Sequence, residues 1–102
     1  MGTAPVSINS ERLAADFIRL CETDSPSGEE GGMASLLKEI FTSLGADTIV
    51  EDDSAGSTGS DTGNLYIRFN GTSDRRPLFF NCHMDTVEPA RGVRVRREGD
   101  IF

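Results

Sequence analysis

The run PLFFNCHMD, residues 77–85, constrains the fold of this chain more than any other stretch. It is apolar on both faces near its start, which predicts a central strand with neighbouring strands and a covering layer on each side. The strand ends in His83, the only histidine of the sequence, and Asp85 follows two positions later. A strand of this kind requires a sheet, and the remaining residues must supply it.

Two helices are predicted before this strand. The first spans about residues 9–22, where Asn9 or Ser10 can cap the first turn and apolar residues recur at helical spacing. The proline-containing turn TDSPSGEEGG then breaks the helix. The second helix spans about residues 30–44 with a continuous apolar stripe, and Gly45 is well placed as its left-handed cap.

Shorter strands are predicted at ADTIVED, at LYIRF and within VRVRREGDIF, and the Gly/Ser/Thr/Asp-rich run DSAGSTGSDTGN predicts a mobile loop. The order of helix, helix and strands predicts an α/β fold in which two helices pack on a mixed β-sheet. The sequence ends at Ile101-Phe102, where a new strand is expected to begin. We therefore expect an incomplete sheet with an open apolar edge, through which a homo-oligomer could form.

Composition narrows the classes of partner. The 102 residues suit one small domain, and a net charge of −7 argues against nucleic acid or an anionic membrane as a partner. The charge is compatible with cation binding, although solubility alone accounts for it. Cys21 and Cys82 do not form a disulfide framework and are predicted to be small buried side chains. Without a run that resembles a signal peptide, we expect a cytoplasmic protein.

The His-x-Asp pair is the candidate functional site. Side chains two positions apart in a strand point the same way, so His83 and Asp85 are expected to share a face. A carboxylate that accepts one ring N–H leaves the other nitrogen free to bind a metal. Two alternatives stay open: a packed histidine with no ligand, and a Ser-His-Asp triad, for which Ser25, Ser27 and several other serines are available. No nucleophile-elbow motif supports the triad.

The segment FFNCHMDTVEPARGV closely resembles the first metal-ligand segment of the dizinc aminopeptidase and deacylase family. HMDTVEP followed by GV is most similar to the peptidase T-like (tripeptidase) branch of that family. The resemblance extends to the two opening helices with the SPSGEE turn between them, and to TGNLYIRFNG as the next strand. It covers essentially all of residues 1–102, which would be the amino-terminal portion of a metallopeptidase catalytic domain without its lid and dimerisation domain.

The resemblance implies that His83 ligates one of two zinc ions and that Asp85 holds the His83 ring. In this family a water that bridges the two metals attacks an amide carbonyl, and a glutamate acts as the general base. The bridging aspartate, the Glu-Glu pair and the other ligands of the family lie beyond Phe102. The pair Glu29-Glu30 is not that catalytic pair and is expected in the first turn of the second helix.

The expected function is therefore metal-dependent hydrolysis of short peptides in a full-length protein, similar to that of a tripeptide aminopeptidase. One histidine cannot provide the three protein ligands that a catalytic zinc usually has, so the 102-residue chain alone is predicted to be inactive. An amino-acid deacylase of the same family is the nearest alternative. A non-enzymatic module that associates through the open sheet edge is the second.

Overall fold

The structure, a computed structural model, describes residues 5–102. Its elements, in chain order, are helix α1 (Ser10–Cys21), helix α2 (Gly31–Ser43), strand β1 (Thr48–Glu51), the short helix α3 (Ala55–Thr58) and strand β2 (Leu65–Arg68). The α/β class predicted from the sequence is confirmed. No helix within the described residues is long and apolar enough to cross a membrane.

The two long helices begin and end where the sequence signals lie. The side chain of Asn9 accepts a hydrogen bond from the backbone N–H of Arg12, so Asn9 rather than Ser10 caps α1. After α2, Gly45 has a φ of 84°, the left-handed conformation that a glycine adopts without steric cost. Its N–H donates to the carbonyl of Thr42 and thereby satisfies one of the free carbonyls in the last turn.

The sheet differs from the prediction. Strands β1 and β2 pair antiparallel, with Ile49 opposite Ile67, and the named strands of residues 5–102 form this single pair. The prediction of a mixed sheet is therefore wrong for the described chain. Helix α2 contacts this hairpin through an edge-to-face pair of Phe41 and Phe69, and Lys38 forms an ion pair with Glu51 at 2.8 Å.

The prediction of a central strand at residues 77–85 is also wrong. Residues 77–85 form no strand, and Leu78, Phe79 and Phe80 are 86%, 82% and 81% exposed. A central strand needs partners on both edges, and the described residues provide none for this run. Residues 93–102 likewise reduce to one bridge between Glu98 and Ile101 around a turn.

The loop between the two strands is more structured than its composition indicated. It contains α3, and the side chain of Asp52 accepts hydrogen bonds from the backbone and side chains of both Ser54 and Asn64. These four donors hold the pKa of Asp52 well below its usual range, with the Ser54 hydroxyl the largest contribution and the Asn64 side chain the next. Asp52 therefore closes the base of the loop as an anion.

The apolar core is small. The buried apolar side chains of the described residues are those of Ala14, Met33 and Ala34, and Cys82, which was predicted to be buried, is exposed. The accessible surface is 8439 Å², against the roughly 5,600 Å² expected for a compact protein of this mass. The radius of gyration of 16.2 Å likewise exceeds the roughly 13 Å of a compact chain of this length. Much apolar surface therefore remains in contact with water.

Candidate functional site

The structure brings the predicted pair together. Nδ1 of His83 lies 2.8 Å from the backbone carbonyl oxygen of Asp85 and 3.1 Å from its carboxylate Oδ1. Both oxygens are acceptors when the carboxylate is ionised, so Nδ1 carries the proton and donates it. The lone pair is then on Nε2, the ring nitrogen to which no residue among 5–102 forms a hydrogen bond. This is the tautomer that a neutral histidine needs in order to bind a metal through Nε2.

A turn between the two long helices holds this pair in place. We call residues 25–27 the serine turn and residues 83–86 the site segment. The hydroxyl of Ser25 donates to the carbonyl of Met84 at 2.8 Å, and the carbonyl of Ser25 accepts from the backbone N–H of Thr86 at 2.7 Å. Pro26 and Thr86 form a parallel bridge. The backbone on both sides of Asp85 is therefore tied to the serine turn.

The carboxylate of Asp85 has its own contact with the serine turn. The hydroxyl of Ser27 donates to Oδ2, while Oδ1 faces the His83 ring. The Ser27 hydrogen bond is the main reason that the pKa of Asp85 is lowered, and the positive charge on His83, when present, lowers it further. Asp85 is thus an anion with one defined partner for each oxygen.

The serine triad is not supported by this geometry. In a triad the nucleophilic hydroxyl donates to the histidine, and the carboxylate lies on the far side of the ring. Here the Ser27 hydroxyl donates to the carboxylate, and the Ser25 hydroxyl donates to a backbone carbonyl. Neither serine is placed to lose its proton to His83. From the sequence alone, both serines are interpreted only as possible nucleophiles, and their contacts with the site segment are missed. The available signal was the pair of serines on either side of Pro26 in a turn.

A second set of polar contacts extends from the same helix–helix turn. The guanidinium of Arg91 contacts Glu29 at 2.6 Å and Glu88 at 2.9 Å, and these two carboxylates raise the pKa of Arg91. The backbone N–H of Gly92 donates to the side chain of Asp24 at 2.8 Å. The acidic residues of the turn therefore bind the chain that follows the site segment.

Glu29 and Glu30 have separate structural roles. Glu30 occupies the N-cap position of α2, and its carboxylate accepts from the Ser60 hydroxyl and the Gly28 N–H at 2.6 Å each, which lowers its pKa in that order of effect. Glu29 lies before the helix and pairs with Arg91. Both residues therefore precede the first turn of α2, which begins at Gly31, and the expectation that they belong to that turn is wrong.

The described chain provides one candidate zinc ligand and no complete site. Within residues 5–102 no group of three or more His, Cys, Asp or Glu side chains is arranged to hold a metal ion. The chemistry of the His83–Asp85 pair fits one imidazole ligand and the carboxylate that orients it. It does not fit the three protein ligands of a catalytic zinc. The metal role of His83 and the supporting role of Asp85 stay predictions.

Comparison with known proteins yields relatives of much greater length. No protein-family model matches the chain. It is 38% identical over 87 residues to YqjE, an uncharacterized protein of Bacillus subtilis, and the match covers 85% of this chain and 23% of YqjE. The chain thus spans about a quarter of the length of that relative.

Two solved structures have the same fold over almost the whole chain. A tripeptidase of Staphylococcus aureus superimposes with a TM-score of 0.82 at 36% identity, covering 91% of this chain and 25% of the tripeptidase. Aminopeptidase PepT of Bacillus cereus gives a TM-score of 0.82 at 35% identity, covering 90% of this chain and 25% of PepT. The chain is therefore related to the peptidase T-like enzymes and matches a fragment of their larger enzyme domain, as the sequence resemblance predicted.

Proposed function

We propose that this chain contributes the first zinc-ligand segment of a peptidase that hydrolyses short peptides. In this proposal it is the amino-terminal portion of the catalytic domain, and the other ligands and the general base come from residues outside it. The observation that carries the proposal is the His83–Asp85 contact, which leaves Nε2 of an exposed imidazole free for a metal. The likeness to a tripeptidase and an aminopeptidase supports the choice of substrate class.

The proposed roles of the two residues follow from their contacts. His83 would ligate one zinc ion through Nε2, and Asp85 would keep the ring in the required tautomer and orientation. In a completed two-metal site, the chemistry supplied would be a lowered pKa of bound water and a polarised peptide carbonyl. A cytoplasmic location is proposed as well, and it is supported by the two free cysteines, Cys21 and Cys82.

A chimera tests the proposal directly. The quarter of the Staphylococcus aureus tripeptidase that matches this chain would be replaced by residues 5–102, and tripeptide hydrolysis would be measured. We expect an active chimera whose activity falls at least about 100-fold with His83→Ala and about 10–100-fold with Asp85→Asn, the range typical of groups that orient a metal ligand. Arg96→Ala, which removes an exposed arginine with one 3.8 Å ion pair, is the matched control.

Two results would contradict this proposal. The first is a folded, active chimera whose zinc content and activity are unchanged by His83→Ala. For the isolated chain, we expect a zinc titration followed at the His83 ring signals by NMR to show weak binding at one site, without tripeptide hydrolysis. The second contradicting result is stoichiometric zinc that survives gel filtration, with hydrolysis that depends on His83, because it would show that the chain is a complete enzyme. The titration also decides the matter if the chimera does not fold.

One observation favours a second function, association through residues 78–80. Leu78, Phe79 and Phe80 are each more than 80% exposed at consecutive positions, and within residues 5–102 this segment belongs to no strand or bridge. We propose that a second copy can pair along this segment. Light scattering should show a dimer that Phe80→Ser weakens, whereas Val6→Ser, which also removes an exposed apolar side chain, should not. A chain that is monomeric at all concentrations would exclude this function.

A further inference from the structure

We infer that Ser27 is a positioning residue for the proposed metal ligand His83 and acts through the carboxylate of Asp85. The inference rests on the proposed function, because it assigns a role to the site that function describes. Ser27 lies 58 positions from Asp85 in the sequence, and its hydroxyl donates to Oδ2. The other carboxylate oxygen, Oδ1, lies 3.1 Å from Nδ1 of His83. A chain of two contacts therefore joins the serine turn to the imidazole.

Hydrogen bonds rather than packing determine the orientation of this pair. The His83 side chain is 84% exposed and that of Asp85 is 39% exposed, so few neighbouring atoms restrict either ring or carboxylate rotation. A carboxylate with a fixed partner on Oδ2 presents Oδ1 in one direction. Without that partner, the group can rotate about its terminal torsion, which has a broad and shallow energy profile. The Nδ1–H of His83 would then keep only the backbone carbonyl of Asp85 as a steady acceptor.

The other contacts of the serine turn act on the backbone of the site segment. Ser25 binds the carbonyl of Met84 and the N–H of Thr86, which places the Asp85 backbone but leaves its side chain free. Ser27 is the residue of the turn that contacts the Asp85 side chain. The two serines therefore have different roles. Ser25 fixes the position of the site segment, and Ser27 fixes the direction of the Asp85 carboxylate.

The turn itself is fixed, so that the Ser27 hydroxyl has a defined position. Pro26 restricts the backbone on one side of Ser27. On the other side, Gly28 has a φ of 87° and donates its N–H to the carboxylate of Glu30 at 2.6 Å. The carbonyl of Gly28 accepts from the N–H of Asp61 at 3.1 Å, which ties the turn to the β1–β2 loop. A hydroxyl on such a turn can orient a partner that is itself exposed.

The test uses the ¹⁵N-labelled 102-residue chain and two readouts. The first is the tautomer of His83, read from the ring ¹⁵N shifts at about pH 8.5, above the ordinary pKa range of imidazole. The second is the affinity for Zn²⁺ alone at neutral pH. We expect Ser27→Ala to reduce the Nδ1–H tautomer measurably and to weaken zinc binding roughly 3–10-fold, below the 10–100-fold typical of a direct partner of the ligand.

Two further variants make the result specific. Ser27→Thr keeps the hydroxyl and should restore both readouts. Ser43→Ala removes a hydroxyl that donates to the carbonyl of Ile40 in α2 and should change neither. The backbone amide signal of Thr86 shows in each variant whether the serine turn still contacts the site segment. A loss of tautomer preference with this signal unchanged is the outcome that identifies positioning rather than a general structural role.

The inference and the proposed function fail separately. If Ser27→Ala and Ser27→Thr both leave the tautomer and the zinc affinity unchanged while His83→Ala abolishes the zinc response, Ser27 does not position the ligand and the proposed function stands. If His83→Ala leaves zinc binding unchanged, the metal role of His83 is wrong. In that case a tautomer shift in Ser27→Ala would still show that Ser27 contacts Asp85. The inference would nevertheless be overturned, because His83 would not be a metal ligand for Ser27 to position.

Discussion

Residues 77–82 and residues 83–92 follow one another in the chain, but the structure holds them in opposite ways. The first segment is the most apolar stretch of the sequence, and it forms no strand and lies exposed to water. The second is polar, and the turn between the helices binds it through Ser25, Ser27 and Glu29. The more apolar of the two segments therefore has the fewer contacts.

The difference follows from the number of neighbours that each kind of interaction requires. A hydrogen bond or ion pair needs one partner, and a single turn provides several partners for residues 84–92. An apolar strand needs neighbours on two edges and a layer on each face, and residues 5–102 provide neither for this run, although the chain matches only 25% of each of the two similar peptidases. The chain thus has a defined local geometry at its candidate site, while the apolar residues 77–82 beside it form no strand.

The largest expected effect tests whether the apolar segment contributes to stability. Met33 is one of the few buried side chains, so Met33→Ala should lower the free energy of unfolding by about 2–4 kcal/mol. Leu78→Ala removes a similar apolar volume from an exposed position and should change it by less than about 0.5 kcal/mol. Urea unfolding followed by circular dichroism measures both. Equal losses would mean that residues 77–82 are packed in solution and that the contrast is wrong.

The next effect concerns the contact between the serine turn and the site segment. Ser25 is fully buried, and its hydroxyl satisfies the carbonyl of Met84. Ser25→Ala should weaken this contact by about 1 kcal/mol, which is roughly a fivefold faster hydrogen exchange at the Thr86 amide. The amides of residues 78–82 should exchange at nearly the rate of an unstructured peptide in both proteins. Protection at residues 78–82 equal to that at Thr86 would remove the distinction.

A smaller effect is expected from the exposed ion pairs. Arg91→Ala removes both contacts with Glu29 and Glu88 and should lower the melting temperature of the chain only slightly, because solvent screens exposed pairs. The loss should diminish as salt is added. Arg94→Ala, which removes an exposed arginine whose guanidinium donates to the carbonyl of Val93, is the control. A large loss of melting temperature that does not depend on salt would show that packing rather than charge holds residues 88–92.

The smallest effect is a pH dependence at Glu30. Its pKa is lowered in the folded chain, mainly by the Ser60 hydroxyl and the Gly28 N–H, so its carboxylate stabilises the fold above the unfolded pKa. That contribution is lost as the pH falls through the lowered folded pKa, in the acid range below about 4.5. Ser60→Ala should reduce the acid-induced loss of melting temperature. An acid profile identical to that of the parent chain would contradict the assigned contact.

The parts of the fold that depend on neighbouring residues in the sequence were predictable. The cap at Asn9, the left-handed Gly45 and the two helices follow from local signals, and each lies within about two residues of its predicted position. The proximity of His83 and Asp85 follows from their spacing as well, since two positions in an extended chain share a face. Local geometry was therefore sufficient for these features.

The parts that depend on distant residues were not predictable. The roles of Ser25 and Ser27 arise from contacts with residues almost 60 positions away, and neither composition nor periodicity reports such a contact. The mixed sheet and the burial of Cys82 failed for a related reason, because each assumed that the strand at residues 77–85 finds neighbours. The apolar pattern describes an environment that the described chain does not contain.

The separation of 59 positions between Ser25 and Met84 also bears on the order in which the chain can become structured. Closing a flexible loop of that length opposes the contact by roughly 4 kcal/mol of chain entropy, comparable to the sum of a few net hydrogen bonds of about 1 kcal/mol each. The β1–β2 hairpin and α2 shorten the effective loop once they have formed. The contact between the serine turn and the site segment should therefore form late in folding, after α2 and the β1–β2 hairpin have become structured.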